Sequence, residues 1–304
     1  MATLKGQNLR ICLYDTTAEK YKVIGMATGC TVTLTNNTDD SSTKDDVGLA
    51  SKPTTISKSW SVSVDSLNVA DTAAMLTAIA GMQPMTLMWD ETSTVDNQTR
   101  QKATFARKGS AYLNDVTFNF NDRENSTKQL QFTGTGALQT VGSSEATQVI
   151  SSGSYTKGQF VRLFLGSDNS AAPSTVIAAA KTLSLHVSLT MEDATTKDTT
   201  GDWQVQEPTA LSYDISTGAL VRSGDTITSQ VGAKTLADLE TIYEAGTPVK
   251  WKIANVSGDN NRTASSTIVS GSVVLTQLTL NGPNRQNADY TAQLNGYGSY
   301  EVAA

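Results

Sequence analysis

Leu183-Ser184-Leu185-His186-Val187-Ser188-Leu189-Thr190-Met191 is the stretch that decides the fold. Leu183, Leu185, Val187, Leu189 and Met191 share one side, and Ser184, His186 and Ser188 the other. That is the period of two of a half-buried strand. Cys30, Val32 and Leu34 repeat it in the first half, and the next alternating runs are Ser61-Val62-Ser63-Val64 and Tyr213-Asp214-Ile215. Further strands are expected at 86–89, 109–120 and 130–138, with equivalents at 249–253, 271–280 and 290–300. One helix stands out in each half. In the second half Thr235 can cap with Asp238 three residues on, Leu236, Leu239, Ile242 and Tyr243 form an apolar stripe, and Gly246 stops the helix. In the first half residues 69–80 read as a helix ended by Gly81. The polar segments 36–57 and 192–209 are too long for tight hairpin turns and read as functional loops.

The pattern occurs twice because the chain is a tandem repeat. Lys5-Gly6-Gln7 matches Lys157-Gly158-Gln159, Trp60 matches Tyr213, Pro84 matches Pro248, and Leu113 matches Leu275. Arg123 matches Arg285, and Gly134 and Gly136 match Gly296 and Gly298. Residues 1–141 and 157–304 are expected to be homologous domains, joined by a Ser/Gly-rich linker at 142–156. Each copy is far longer than a solenoid repeat, so each reads as a full domain. The fold class is mainly β: two β-sandwich or barrel domains of six to eight strands, each with one packed α-helix and a long polar loop.

Composition agrees and excludes several functions. Of 304 residues, 44 are Thr, 31 Ser and 17 Asn, while charged residues are only 17%. Thr suits strands; Ser and Asn suit turns. The net charge of −6 argues against a stable nucleic-acid-binding surface. The start of the chain lacks the pattern of a signal peptide. Residues 72–89 carry no charge, but their counterparts 235–253 carry Asp238, Glu240, Glu244, Lys250 and Lys252, so a membrane span is not expected. Cys12 and Cys30 correspond to Phe164 and Leu183, which predicts free, buried thiols.

Chemistry finds little support. The one histidine, His186, corresponds to Thr33 and reads as an exposed strand residue, so no Ser/His/acid set is expected. GxSxG, HExxH and phosphate-loop motifs are missing. The acidic run 39–46 lacks the Gly and Glu of an EF-hand loop and holds Lys44 in its middle, which disfavours calcium. No catalytic residue, metal or cofactor is expected. The Asn-x-Ser/Thr triplets at Asn36, Asn97, Asn125, Asn255 and Asn261 are read as chance in a chain rich in Asn and Thr.

A resemblance sharpens this. Residues 187–198 run from a strand through Glu192-Asp193 to Thr196-Lys197-Asp198, with Gly201 and Trp203 following. This resembles the signature of phage major tail proteins, the tail tube subunits of long non-contractile tails. The first half keeps Asp39-Asp40, Thr43-Lys44-Asp45 and Gly48 but has Ala50 in place of the Trp. The resemblance implies a hollow tube of stacked rings of six domains, with sheets joined edge to edge around a lumen. It implies an inter-ring or inter-subunit loop role for Asp39, Asp40, Thr43, Lys44, Asp45, Glu192, Asp193, Thr196, Lys197, Asp198 and Trp203. Two fused domains per chain then predict three chains per ring, a homotrimer with pseudo-sixfold symmetry. The implied setting is the virion tail, assembled in the host cytoplasm. The implied partners are the chain itself, tape-measure, tail-terminator and baseplate proteins, and DNA in transient non-specific passage, with no membrane. An acidic lumen would let phosphate slide. Two alternatives stay open: a tandem β-sandwich binding a glycan or receptor, with Trp60, Trp89, Trp203 and Trp251 as a sugar platform, and the inner tube of a contractile tail or injection machine.

Overall fold

The computed structural model describes residues 4–48, 50–67, 71–93, 100–142, 145, 147–148, 155–199, 201–221, 233–258 and 262–303. The first half builds β1 (Leu9–Asp15), β2 (Lys20–Val23), β3 (Ala27–Asp40), β4 (Pro53–Ser66), α1 (Thr72–Ala80), β5 (Met85–Glu91), β6 (Arg107–Asn119), β7 (Thr127–Thr140) and β8 (Thr147–Gln148). The second half builds β9 (Val161–Leu165), β10 (Thr175–Ile177), β11 (Ala180–Asp193), β12 (Gln206–Leu220), β13 (Ala233–Lys234), α2 (Leu236–Ala245), β14 (Val249–Val256), β15 (Ala264–Asn281), β16 (Asp289–Gly296) and β17 (Glu301–Val302).

Strand pairing has the same order in both halves. The first runs β3–β4–β7–β6–β5–β1–β2. The second runs β11–β12–β16–β15–β14–β9–β10, again antiparallel throughout. Finer detail repeats as well. The β6–β7 ladder shifts register after Leu113 and the β15–β16 ladder after Leu275. Gly136 and Gly298 share a φ of +73 and +74. Trp60 lies against Gly134, and Tyr213 against Gly296, where a side chain would collide with the ring.

Alternation delivers the core as expected. Leu183, Leu185, Val187 and Leu189 of β11 are buried, as are Val62 and Val64 of β4. One apolar cluster runs through both halves, from Ile11 and Trp60 to Trp251 and Tyr300. α2 begins at a capping box: the Thr235 hydroxyl accepts from the Asp238 N–H, and the Asp238 carboxylate accepts from the Thr235 N–H. It ends at Gly246 with φ +60. Tyr243, expected in the apolar stripe, is exposed; Leu239 and Ile242 alone are fully buried on this helix. α1 starts at Thr72 and stops at Gly81, and Val69 lies outside the described residues.

Two expectations change here. The long polar segments are in part strand: β3 continues to Asp40 and β4 begins at Pro53, and in the second half β11 continues to Asp193 and β12 begins at Gln206. This ribbon is exposed on both faces, so it lacks the apolar alternation that announces a strand. Cys30 is half-buried instead of buried, because β3 pairs on one side only. Cys12 is buried; burial first, then the nearby Asp90 charge, push its thiol pKa up to about 12. Both thiols are free. The linker at 142–156 lies largely outside the described residues. At its start, Arg100 donates to the Gly142 and Glu145 carbonyls at 3.2 Å each.

Candidate assembly surfaces

The β3–β4 and β11–β12 hairpins project as two arms whose tips are built alike. In the first, the Asp40 carboxylate accepts from the Ser42 N–H at 2.9 Å and the Lys52 N–H at 3.2 Å. In the second, Asp193 accepts from the Thr195 N–H at 2.9 Å, while the Thr195 hydroxyl accepts from the Val205 N–H at 2.9 Å. Thr43 N–H donates to Asp46 at 2.7 Å, and Thr196 N–H to the Thr199 hydroxyl at 3.0 Å. These bonds hold the Asp40 carboxyl below the usual carboxylate range, the Ser42 side chain contributing most. The Asp-x-Ser/Thr element of the signature therefore shapes its own loop. Asp39, Thr43, Lys44, Asp45, Glu192, Thr196, Lys197 and Asp198 are all exposed on these tips.

Trp203 sits elsewhere. It is half-buried against the core and forms a parallel bridge with Lys58 of β4. Around it the second arm's return segment straps onto the first half. Lys58 N–H donates to the Asp202 carbonyl at 2.6 Å, Gln204 N–H to the Lys58 carbonyl at 2.9 Å, and Gly136 N–H to the Gln204 carbonyl at 2.8 Å. Trp203 is thus engaged within the chain. The other tryptophans, Trp60, Trp89 and Trp251, are core residues, so the sugar platform they were weighed for does not form. Trp60 and Trp89 pack with ring centroids 5.8 Å apart.

The halves meet sheet edge to sheet edge. The end of β6 pairs antiparallel with β11: Asn119 opposite Ser184, Phe118 opposite Leu185, Thr117 opposite His186, Val116 opposite Val187 and Asp115 opposite Ser188. His186, expected as a plain exposed residue, clamps this junction. Its Nε2 lies 2.8 Å from Asp115 of β6 and its Nδ1 2.8 Å from Asp214 of β12. Burial disfavours the charged ring, but the two carboxylates outweigh it and the pKa is raised. A signal was available in the repeat. His186, Asp115 and Asp214 stand where the other copy has Thr33, Gln277 and Ser61, so charge enters at three matched positions together. Tyr300 of the second half also donates to the Leu76 carbonyl of α1 at 2.7 Å.

No helix among the described residues is long and apolar enough to cross a membrane.

Comparison with known proteins places the second half in a family. Residues 158–302 match the family model described as phage tail tube protein, so the second half of the chain is a tail tube protein domain. No curated protein matches the chain. Solved structures similar to it include the tail of an empty gene transfer agent particle, at 16% identity and TM-score 0.38, covering 49% of this chain and 99% of that one. The virion of a native gene transfer agent particle is similar at 15% identity and TM-score 0.34, with 49% and 99% covered. The SPP1 tail tube is similar at 14% identity and TM-score 0.35, with 48% and 78% covered.

Proposed function

We propose that the chain is the structural subunit of a phage tail tube, in which both halves act as tube domains and three chains make one ring. The family match over 158–302 carries the reading. Support for extending it to the first half comes from the shared strand order, the matched arms and the shared bulge positions. On this reading residues 1–141 and 157–304 are the tube domains and 142–156 the connection. The protein works passively, as a conduit for the genome in the virion tail, with no catalytic step. Self-assembly into stacked rings is its main interaction; tape-measure, tail-terminator and baseplate proteins are the further partners it would meet. The exposed tips, with Asp39, Asp40, Thr43, Lys44, Asp45, Glu192, Asp193, Thr196, Lys197 and Asp198, would contact the adjacent ring, while Trp203 holds the return of the second arm's loop against the first half. A net charge of −6 fits a wall that does not retain DNA.

Electron microscopy of the purified protein at high concentration tests this. Hollow tubes or rings of uniform diameter are expected, with a ring mass of three chains. A ring mass of six chains would overturn the fused-domain arithmetic. A folded protein that remains a two-lobed monomer at every concentration would overturn the tube reading.

A further inference from the structure

The internal junction leaves two matching edges unused. β3 is the counterpart of β11, yet among the described residues it pairs with β4 alone. The end of β15 is the counterpart of the end of β6, yet, among the described residues, 277–281 pair with β16 alone. Both edges carry an apolar residue in water. Leu34, counterpart of the buried Val187, is 60% exposed, and Leu280, counterpart of the buried Phe118, is 59% exposed. Open edges with apolar residues invite pairing with another chain.

A second feature repeats this. In the first half, the strip around Lys58 and Gly136 is covered by the strap at 202–206. The matching strip of the second half is an open groove lined by Leu211, Ser212, Tyr213, Asn295, Gly296 and Gly298. Among the described residues nothing covers it in the way the strap covers its counterpart, and the residues that correspond to the strap include 50–53 of the first arm. One copy's first half can meet both vacancies of another copy's second half at once, by the same relation that joins the halves covalently. Such a contact is head-to-tail, and repeated rotation of that kind can close into a ring.

We propose that the β15 edge of one chain pairs with β3 of a second copy of this chain in the register of the internal junction. Thr31 stands opposite Asn281, Val32 opposite Leu280, Thr33 opposite Thr279, Leu34 opposite Leu278 and Thr35 opposite Gln277. The second copy's residues 50–53 lie in the groove beside Leu211 and Gly298. The pairing follows from the internal junction, while closure at three chains rests on the tail tube reading. The new junction differs from the internal one in chemistry: Thr33, Gln277 and Ser61 replace His186, Asp115 and Asp214, so it carries no charged clamp.

The double variant Thr33→Cys/Thr279→Cys tests the register. Directly opposed strand residues have Cα atoms about 4.5–5.5 Å apart, within disulfide reach, whereas a diagonal neighbour lies about 7–8 Å away. Mild oxidation of the full chain is expected to yield reducible dimers and a trimeric end product on a non-reducing gel. Each single variant, with native Cys12 and Cys30 in place, is expected to stay monomeric on that gel. The control Thr33→Cys/Gln277→Cys is expected to cross-link at least tenfold more slowly. Rings visible by microscopy without the Thr33–Thr279 cross-link, or with the control pair linking faster, would overturn the register and leave the tube reading standing. A folded double variant giving neither rings nor cross-links at high concentration would overturn both.

Discussion

Trp60 and Tyr213 show how one residue constrains its neighbours. Each ring lies flat on a glycine of the adjacent strand, and a Cβ on Gly134 would stand 2.1 Å from the Trp60 ring. The ring cannot retreat, because Trp89 packs behind it and its indole N–H donates to the Gly136 carbonyl at 3.1 Å. Gly134→Ala is therefore expected to destabilise by roughly 1–3 kcal/mol, read from chemical denaturation. His186 gives a second prediction at this scale. It is the chain's single histidine, so its ring protons titrate alone in an NMR spectrum. The folded pKa is expected above the ordinary value of about 6.5, and Asp115→Asn or Asp214→Asn is expected to lower it. A group whose pKa rises on folding adds stability that is complete below its unfolded pKa. The clamp therefore holds the halves best at mildly acidic pH, and its contribution is lost as pH rises through the raised folded value. A folded pKa at or below 6.5 would contradict this.

The two helices solve one problem at the scale of the element in different ways. α2 caps itself, with Thr235 and Asp238 satisfying each other's backbone N–H groups. α1 has no such box. At its N-terminus Asp71 forms an ion pair with Lys128 of β7, whose ammonium is fully buried. Burial lowers the Lys128 pKa, with Asp71 opposing that shift. In the second half, Tyr290 stands where Lys128 stands, so the pair has no counterpart there. Asp71→Ala would leave a buried charge unpaired. A loss of about 2–3 kcal/mol is expected in thermal or chemical unfolding, less than for a fully buried pair because Asp71 is about a third exposed. Adding Lys128→Met should recover most of it, since removing both charges leaves no orphan. Failure of that rescue would assign Asp71 another role. The arms follow the same logic of local satisfaction: Asp40 and Asp193 close their own loops and leave the remaining tip residues free to contact a neighbour.

At the scale of the whole molecule, the chain is two units of one strand order joined by sheet pairing, with an open edge at each outer end. Leu34→Asp tests that description. Leu34 is already exposed in the single chain, so the melting temperature should move by no more than about 2 °C, in keeping with surface substitutions. Assembly should fail, because a carboxylate would be carried into the apolar side of the new ladder. Sedimentation of the variant beside the parent protein reads this directly. Rings of normal size in the variant would place the contact elsewhere.

Much of this was written in local pattern. Period-two alternation in 183–191 and 61–64 named core strands, because a strand with one buried face must alternate. Thr235, Asp238 and Gly246 named a helix with both ends, because caps act over a few residues. The repeat told which positions are apolar in both copies, and the loop motif told the family. The arms were read too long as loops, since a ribbon in water on both faces has no apolar side to mark it. What only the tertiary structure decided is where identical elements end up. β3 and β11 carry matching patterns, yet β11 is enclosed and β3 is an edge. Trp203 turned inward, His186 found two carboxylates, and Leu34 remained in water. Burial at such positions depends on which strand lies alongside, and that is set by partners far away in the sequence or on another chain.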